Sequence, residues 1–143
     1  MGVRVRIRLK ALLGSSPGAS VETSALVNTG YETVEPEVLL PRPLAEYLGI
    51  PLRAPEARRA YYETPLGLFS LSIVREAVEV ELLDTGSRAI AHGVVAEHER
   101  EVLLSDSATE ALGIVILSPG EGLWRHVSDG QDVARPSARP EFW

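Results

Sequence analysis

Turn-forming clusters recur along this chain, and the apolar segments between them are strand-sized. Gly14-Ser15-Ser16-Pro17-Gly18, Thr64-Pro65-Leu66-Gly67, Asp84-Thr85-Gly86-Ser87 and Ser118-Pro119-Gly120-Glu121-Gly122 each interrupt it with residues that favour chain reversal. At the start, Val3, Val5, Ile7 and Leu9 alternate with Arg4, Arg6, Arg8 and Lys10. That period of two predicts a half-buried strand with one basic face, of the kind that guards a sheet edge. Val21–Val27 reads as its returning partner, and Val102-Leu103-Leu104 as a short buried strand. Val74–Leu83 with Ala89–Ala96, and Ile114–Leu117 with Leu123–Val127, read as hairpins around the later turns. Two helices are expected, both short. One runs from Pro43 to Leu48, with Pro in its first turn, Gly49 just beyond it, and Leu44 and Leu48 on one face. The other covers Ser107–Leu112, capped by Ser105 or Ser107 and stopped by Gly113. The pattern predicts an all-β, barrel-like domain over residues 1–127. The polar, Pro-containing residues 128–143 form a C-terminal tail ending in Phe142-Trp143, either free or docked in a partner subunit or a cleft.

Composition narrows the function classes. With 143 residues, 45% of them apolar and 24% charged, the chain suits one soluble domain with a real core. A net charge of -6 argues against a general nucleic-acid binder, which carries a basic excess. There is no cysteine, which removes disulfides and thiolate metal sites. The first ten residues lack the continuous apolar stretch of a signal peptide, and no apolar run approaches the roughly 20 residues of a membrane helix. A cytoplasmic protein that needs neither membrane, nucleic acid, metal nor cofactor is therefore expected.

Three segments carry the chemistry. The first is Ala25-Leu26-Val27-Asn28-Thr29-Gly30, which holds the only Asn of the chain. The second is Leu39-Leu40-Pro41 through Leu44-Ala45-Glu46-Tyr47-Leu48-Gly49-Ile50. The third is Leu103-Leu104-Ser105-Asp106-Ser107 through Ala111-Leu112-Gly113-Ile114. In this order they resemble the retropepsin-like aspartic peptidases, in particular the small archaeal and bacterial members. Asn28 stands where that family has its catalytic Asp, and Ser105 where a glycine is usual. The resemblance covers roughly residues 1–127.

The resemblance implies a closed acid-protease barrel with two short helices and a flap hairpin, acting as a homodimer on a peptide or protein substrate. Hydrolysis by this route needs two carboxylates sharing one proton across a water; a chain of this length supplies one, so a symmetric dimer supplies the pair. Positions 28–30 would form the catalytic loop. Asn28 occupies the acid position, Thr29 hydrogen-bonds across the dyad, and Gly30 permits close approach of the two loops. Pro65-Leu66-Gly67 would be the flap tip, with Tyr61 or Tyr62 lining it. Asn matches Asp in shape but cannot act as a base, so the chain as written is expected to be an inactive aspartic endopeptidase, changed at this position by engineering or by natural loss. The alternatives are a non-catalytic peptide-binding pseudoprotease and a structural β-barrel assembly domain.

Two further features compete for attention. Leu82-Leu83-Asp84-Thr85-Gly86-Ser87 preserves the signature intact, yet the 56-residue step from Asn28 is too short for a second lobe, and Asp-Thr-Gly-Ser suits a hairpin turn. His92, His98 and His126 are the only histidines; their spacing offers no metal site, and a surface location is expected.

Overall fold

The computed structural model describes residues 1–143. Nine strands and two helices follow in the order β1 (Arg4–Ala11), β2 (Ser20–Val27), β3 (Glu37–Pro41), α1 (Arg42–Tyr47), β4 (Ala57–Thr64), β5 (Gly67–Leu82), β6 (Arg88–Ala96), β7 (Val102–Leu104), α2 (Asp106–Ala111), β8 (Ile114–Ser118) and β9 (Leu123–His126). The main sheet runs β1-β2-β7-β3-β6-β5-β4, and a further β1–β5 pairing closes it. Six strands thus form a closed barrel. β4 hangs outside it on β5 alone, and β8–β9 make a separate small sheet.

Alternation fills the barrel. Val5, Ile7 and Leu9 point into it from β1, and meet Leu40 from β3, Val78, Val80 and Leu82 from β5, and Leu104 from β7 in one core cluster. Because β1 pairs antiparallel with β2 on one side and β5 on the other, it is not an edge. The basic face therefore does not guard an edge as expected. It forms ion pairs with neighbouring chain instead: Arg4 with Glu101, Arg6 with Glu141, and Arg8 with Glu22 and Glu81.

The two short helices lie near their predicted places. α1 has Pro41 as its cap residue and Pro in its first turn. Gly49, just past its end, adopts φ +69° and lies against the β1–β2 turn, where Ser15 N–H donates to Gly49 O at 3.0 Å. α2 starts one residue earlier than expected, because Ser105 rather than Ser107 caps it: its Oγ accepts from Ala108 N–H at 3.1 Å.

Two features depart from the sequence reading. β5 is one 16-residue strand: the segment expected over Val74–Leu83 begins seven residues earlier, at Gly67, the last residue of the Thr64–Gly67 turn. Within it, a bulge between Val74 and Val78 accommodates Glu76, whose φ is 49° and whose N–H donates to His92 Nδ1 at 2.8 Å. Residues 128–143 fold back on the barrel of their own chain. Arg135 exchanges both backbone hydrogen bonds with Trp124, Ala138 N–H donates to Arg4 O, and Trp143 N–H donates to Arg100 O. The Trp143 indole N–H donates to buried Thr23 Oγ1 at 3.1 Å. No helix is long and apolar enough to cross a membrane.

Candidate functional site

Asn28 is the first residue beyond β2. β2 runs parallel to β7 with Val27 opposite Leu104, and Asn28 N–H extends that ladder by donating to Leu104 O at 3.1 Å. The first and third sequence segments are therefore neighbours in space. β7 also pairs with β3, which brings in the second. Beyond the ladder the chain reverses: Asn28 Oδ1 accepts from Gly30 N–H at 3.1 Å, and Asn28 O accepts from Tyr31 N–H at 3.0 Å. This self-bonded turn is what a short amide or carboxylate side chain provides locally. The loop is then pinned to α2, since Asp106 N–H donates to Tyr31 O at 2.9 Å and Asp106 Oδ1 accepts from Thr33 N–H at 2.9 Å.

Ser105 knits this region together. Its side chain is fully buried. Besides capping α2, Ser105 Oγ accepts from Glu37 N–H at 3.1 Å, and its own N–H donates to Glu37 O. Where the resembled family has glycine, this chain has a hydroxyl that binds β3 to α2 directly under the loop.

A cleft of about 690 Å³ opens beside the loop. Asn28 and Gly30 border it on one side and Tyr61, Tyr62 and Thr64 of β4 on the other, with Glu37 and Leu103 also facing it. Of the residues expected to matter, Asn28, Gly30, Tyr61 and Tyr62 thus share one cleft. Thr29 is exposed at the loop apex, with no part in the cleft wall. Pro65, Leu66 and Gly67 form the tip of the β4–β5 hairpin beyond the cleft; Leu66 is 89% exposed.

Glu37 was not singled out in the sequence. Its Oε1 accepts from the hydroxyls of both Tyr31 and Tyr62, each at 2.8 Å, and the two rings meet edge to face at 6.1 Å. Burial, reinforced by the Glu37 carboxylate, pushes the Tyr31 hydroxyl far above its ordinary value. Burial and the bond to Glu37 raise Tyr62 as well. Both tyrosines are therefore held as neutral donors to a shared acceptor. The only hint in the sequence was an acidic residue opening an otherwise apolar strand.

Asp84 lies elsewhere. It is exposed at the β5–β6 turn, 3.6 Å from Arg135, and borders a small hollow with Arg4, Trp124 and Ser137 rather than the cleft of Asn28. The expectation of surface histidines holds for His98 alone. His92 and His126 are only 5% and 7% exposed, and each is buried because its ring is satisfied. His92 Nδ1 serves the bulge, and Nε2 meets Glu35 Oε1 at 3.2 Å; that contact, with Arg75 nearby, lowers the Glu35 carboxyl below its ordinary value. His126 Nδ1 accepts from Ser128 N–H, so Nε2 carries the proton and reaches Leu112 O at 3.0 Å and Ser87 Oγ at 2.9 Å. His126 thereby ties the Asp84–Ser87 turn to the end of α2.

No family model and no curated protein matches this chain.

Proposed function

We propose that this chain is a retropepsin-like domain, an aspartic endopeptidase by descent, that works as a homodimer and is catalytically silent in the Asn28 form. One observation carries the reading: Asn28 directly follows a strand of the closed barrel and borders a cleft whose far wall is the projecting β4–β5 hairpin. Supporting it, Thr29 and Gly30 are exposed at the apex of the loop, where a second copy would have to meet them to complete a two-carboxylate site. In the active form, one Asp of the pair would take a proton from water while the other donated to the peptide carbonyl. The Asn28 amide can donate N–H hydrogen bonds but does not ionise, so it can neither take a proton from water nor deliver one.

Asn28→Asp is the test. The carboxylate keeps the acceptor role toward Gly30 N–H, so the turn survives. The variant is expected to cleave extended peptides under acidic conditions, with inhibition by pepstatin, while the parent does not. A parent that cleaves, or a strict monomer by light scattering, would remove the proposal.

A second reading is a peptide-binding module without hydrolysis. One observation favours it: β4 has a neighbour on one side only, leaving backbone donors and acceptors beside the cleft for an added strand. Binding of an extended peptide by both variants, with cleavage by neither, selects this reading.

A further inference from the structure

The β4–β5 hairpin is a lever. Pairing of β5 with β6 begins only at Ser72, and β4 pairs with nothing but β5. Residues 60–71 therefore project from the barrel as a two-stranded arm, a structure of marginal stability by itself. Its outer part is apolar and exposed, through Tyr61, Leu66, Leu68 and Phe69. Most of its polar side-chain contacts stay within the hairpin: Ser70 to Arg59 at the arm's base, and Thr64 to Leu66 and Gly67. One side-chain hydrogen bond joins the arm to the body, from the Tyr62 hydroxyl to Glu37 Oε1.

Glu37 lies on β3, with its backbone held from both sides by Ser105. The same carboxylate oxygen accepts from Tyr31, three residues after Asn28. A single acceptor thus gathers the arm, the Asn28 loop and the barrel wall.

We propose that Glu37 is a positioning residue that latches the arm over the Asn28 cleft through the Tyr62 hydroxyl. The role of the latch in peptide handling rests on the function proposed above; the latch itself does not. A peptide seated in the cleft requires the arm to open and reclose, and the bond from Tyr62 to a charged acceptor is what reclosing restores. Tyr62→Phe removes that one hydroxyl while keeping the ring against Tyr31 and leaving the Tyr31–Glu37 bond. Tyr31→Phe breaks the other half. Glu37→Gln keeps an oxygen acceptor for both.

The chain has no cysteine, so spin labels at Leu66→Cys and Glu110→Cys report the distance from arm tip to α2 without removing any native thiol. The full chain and its Glu37→Gln and Tyr31→Phe variants are expected to show one narrow distribution. Tyr62→Phe and Glu37→Leu should broaden it and shift it to longer distances. An unchanged distribution in Tyr62→Phe overturns the latch, as does equal broadening in Tyr31→Phe. In the Asn28→Asp background, Tyr62→Phe is expected to raise KM for a fluorogenic extended peptide about tenfold, the scale of one charge-assisted hydrogen bond, with kcat less affected. A fall in kcat at constant KM also overturns the proposal. If Asn28→Asp cleaves nothing, the function proposed above fails while the distances still decide the latch.

Discussion

Ser105→Ala is expected to be among the most damaging single-atom deletions in this chain. Ser105 Oγ accepts two backbone N–H groups at 3.1 Å, those of Ala108 and Glu37, and the residue is fully buried. Loss of the helix cap costs about 1 kcal/mol. Stranding Glu37 N–H, a second donor in a site closed to water, adds about 1–3 kcal/mol. The sum is about 2–4 kcal/mol, which corresponds to about 5–15 °C in Tm for a domain of this size. Urea denaturation followed by circular dichroism reads the free energy, and calorimetry reads Tm. A discriminating control is Ser105→Gly. At an exposed cap glycine is nearly as good as serine because water replaces the hydroxyl; here no water reaches the site, so glycine should cost about as much as alanine. If Ser105→Ala lies within about 0.5 kcal/mol of the parent, the range of neutral surface changes, or if glycine is well tolerated, the double-acceptor reasoning fails.

Other expectations follow from the same geometry. Trp143→Ala removes an indole hydrogen bond to Thr23 and a half-buried ring, and should lower stability by about 1–2 kcal/mol in urea titrations; an unmoved midpoint would mean the tail is not held in solution. Gly14→Ala should cost about 2–4 kcal/mol, because the new Cβ would lie 2.0 Å from Gly49 O at φ +105°; a soluble variant with the parent Tm would refute that contact. Tyr31 and Tyr62 are raised above the ordinary value of 10.0. A raised folded value gives stability that is complete below the unfolded value and lost as pH rises above it. Stability should therefore fall above about pH 10, and less steeply in the Tyr31→Phe, Tyr62→Phe double variant; equal slopes would exclude the two hydroxyls as the cause.

Much of the barrel was legible because alternation survives translation into structure. The β1 and β2 strands, the Asp84 turn and both short helices follow from side-chain period and from Pro and Gly placement. What was hidden depends on partners distant in sequence. Nothing local in Arg4-Val5-Arg6-Ile7-Arg8 says that β1 is hydrogen-bonded on both sides; that depends on β5, some 70 residues on. The bulge at Glu76 needs a histidine from β6 to satisfy its N–H, so nothing local announces it within Val74–Leu83. His92 and His126 read as surface residues because polarity alone was visible, whereas their burial depends on acceptors and donors from other elements. At the site, Asn28, Tyr61 and Tyr62 stood out by identity, whereas Tyr31 did not. Glu37 was equally hidden, because its importance comes from two hydroxyls arriving from separate segments. Ser105 seemed a departure from a glycine pattern until its two backbone donors were in view.

Barrel closure also sets the order in which this chain can acquire its shape. β1 and β2 can pair as soon as they exist, but the wall beside β2 is completed by Val102–Leu104, and that beside β3 by both β6 and β7. These contacts span more than 50 residues, and loops of that length are slow to close. During synthesis the early hairpin must wait with Val5, Ile7 and Leu9 uncovered, and with the far edge of β2 unpaired. Folding should accordingly be slow for a domain of this size, and the nascent first third is the segment most exposed to association with other chains.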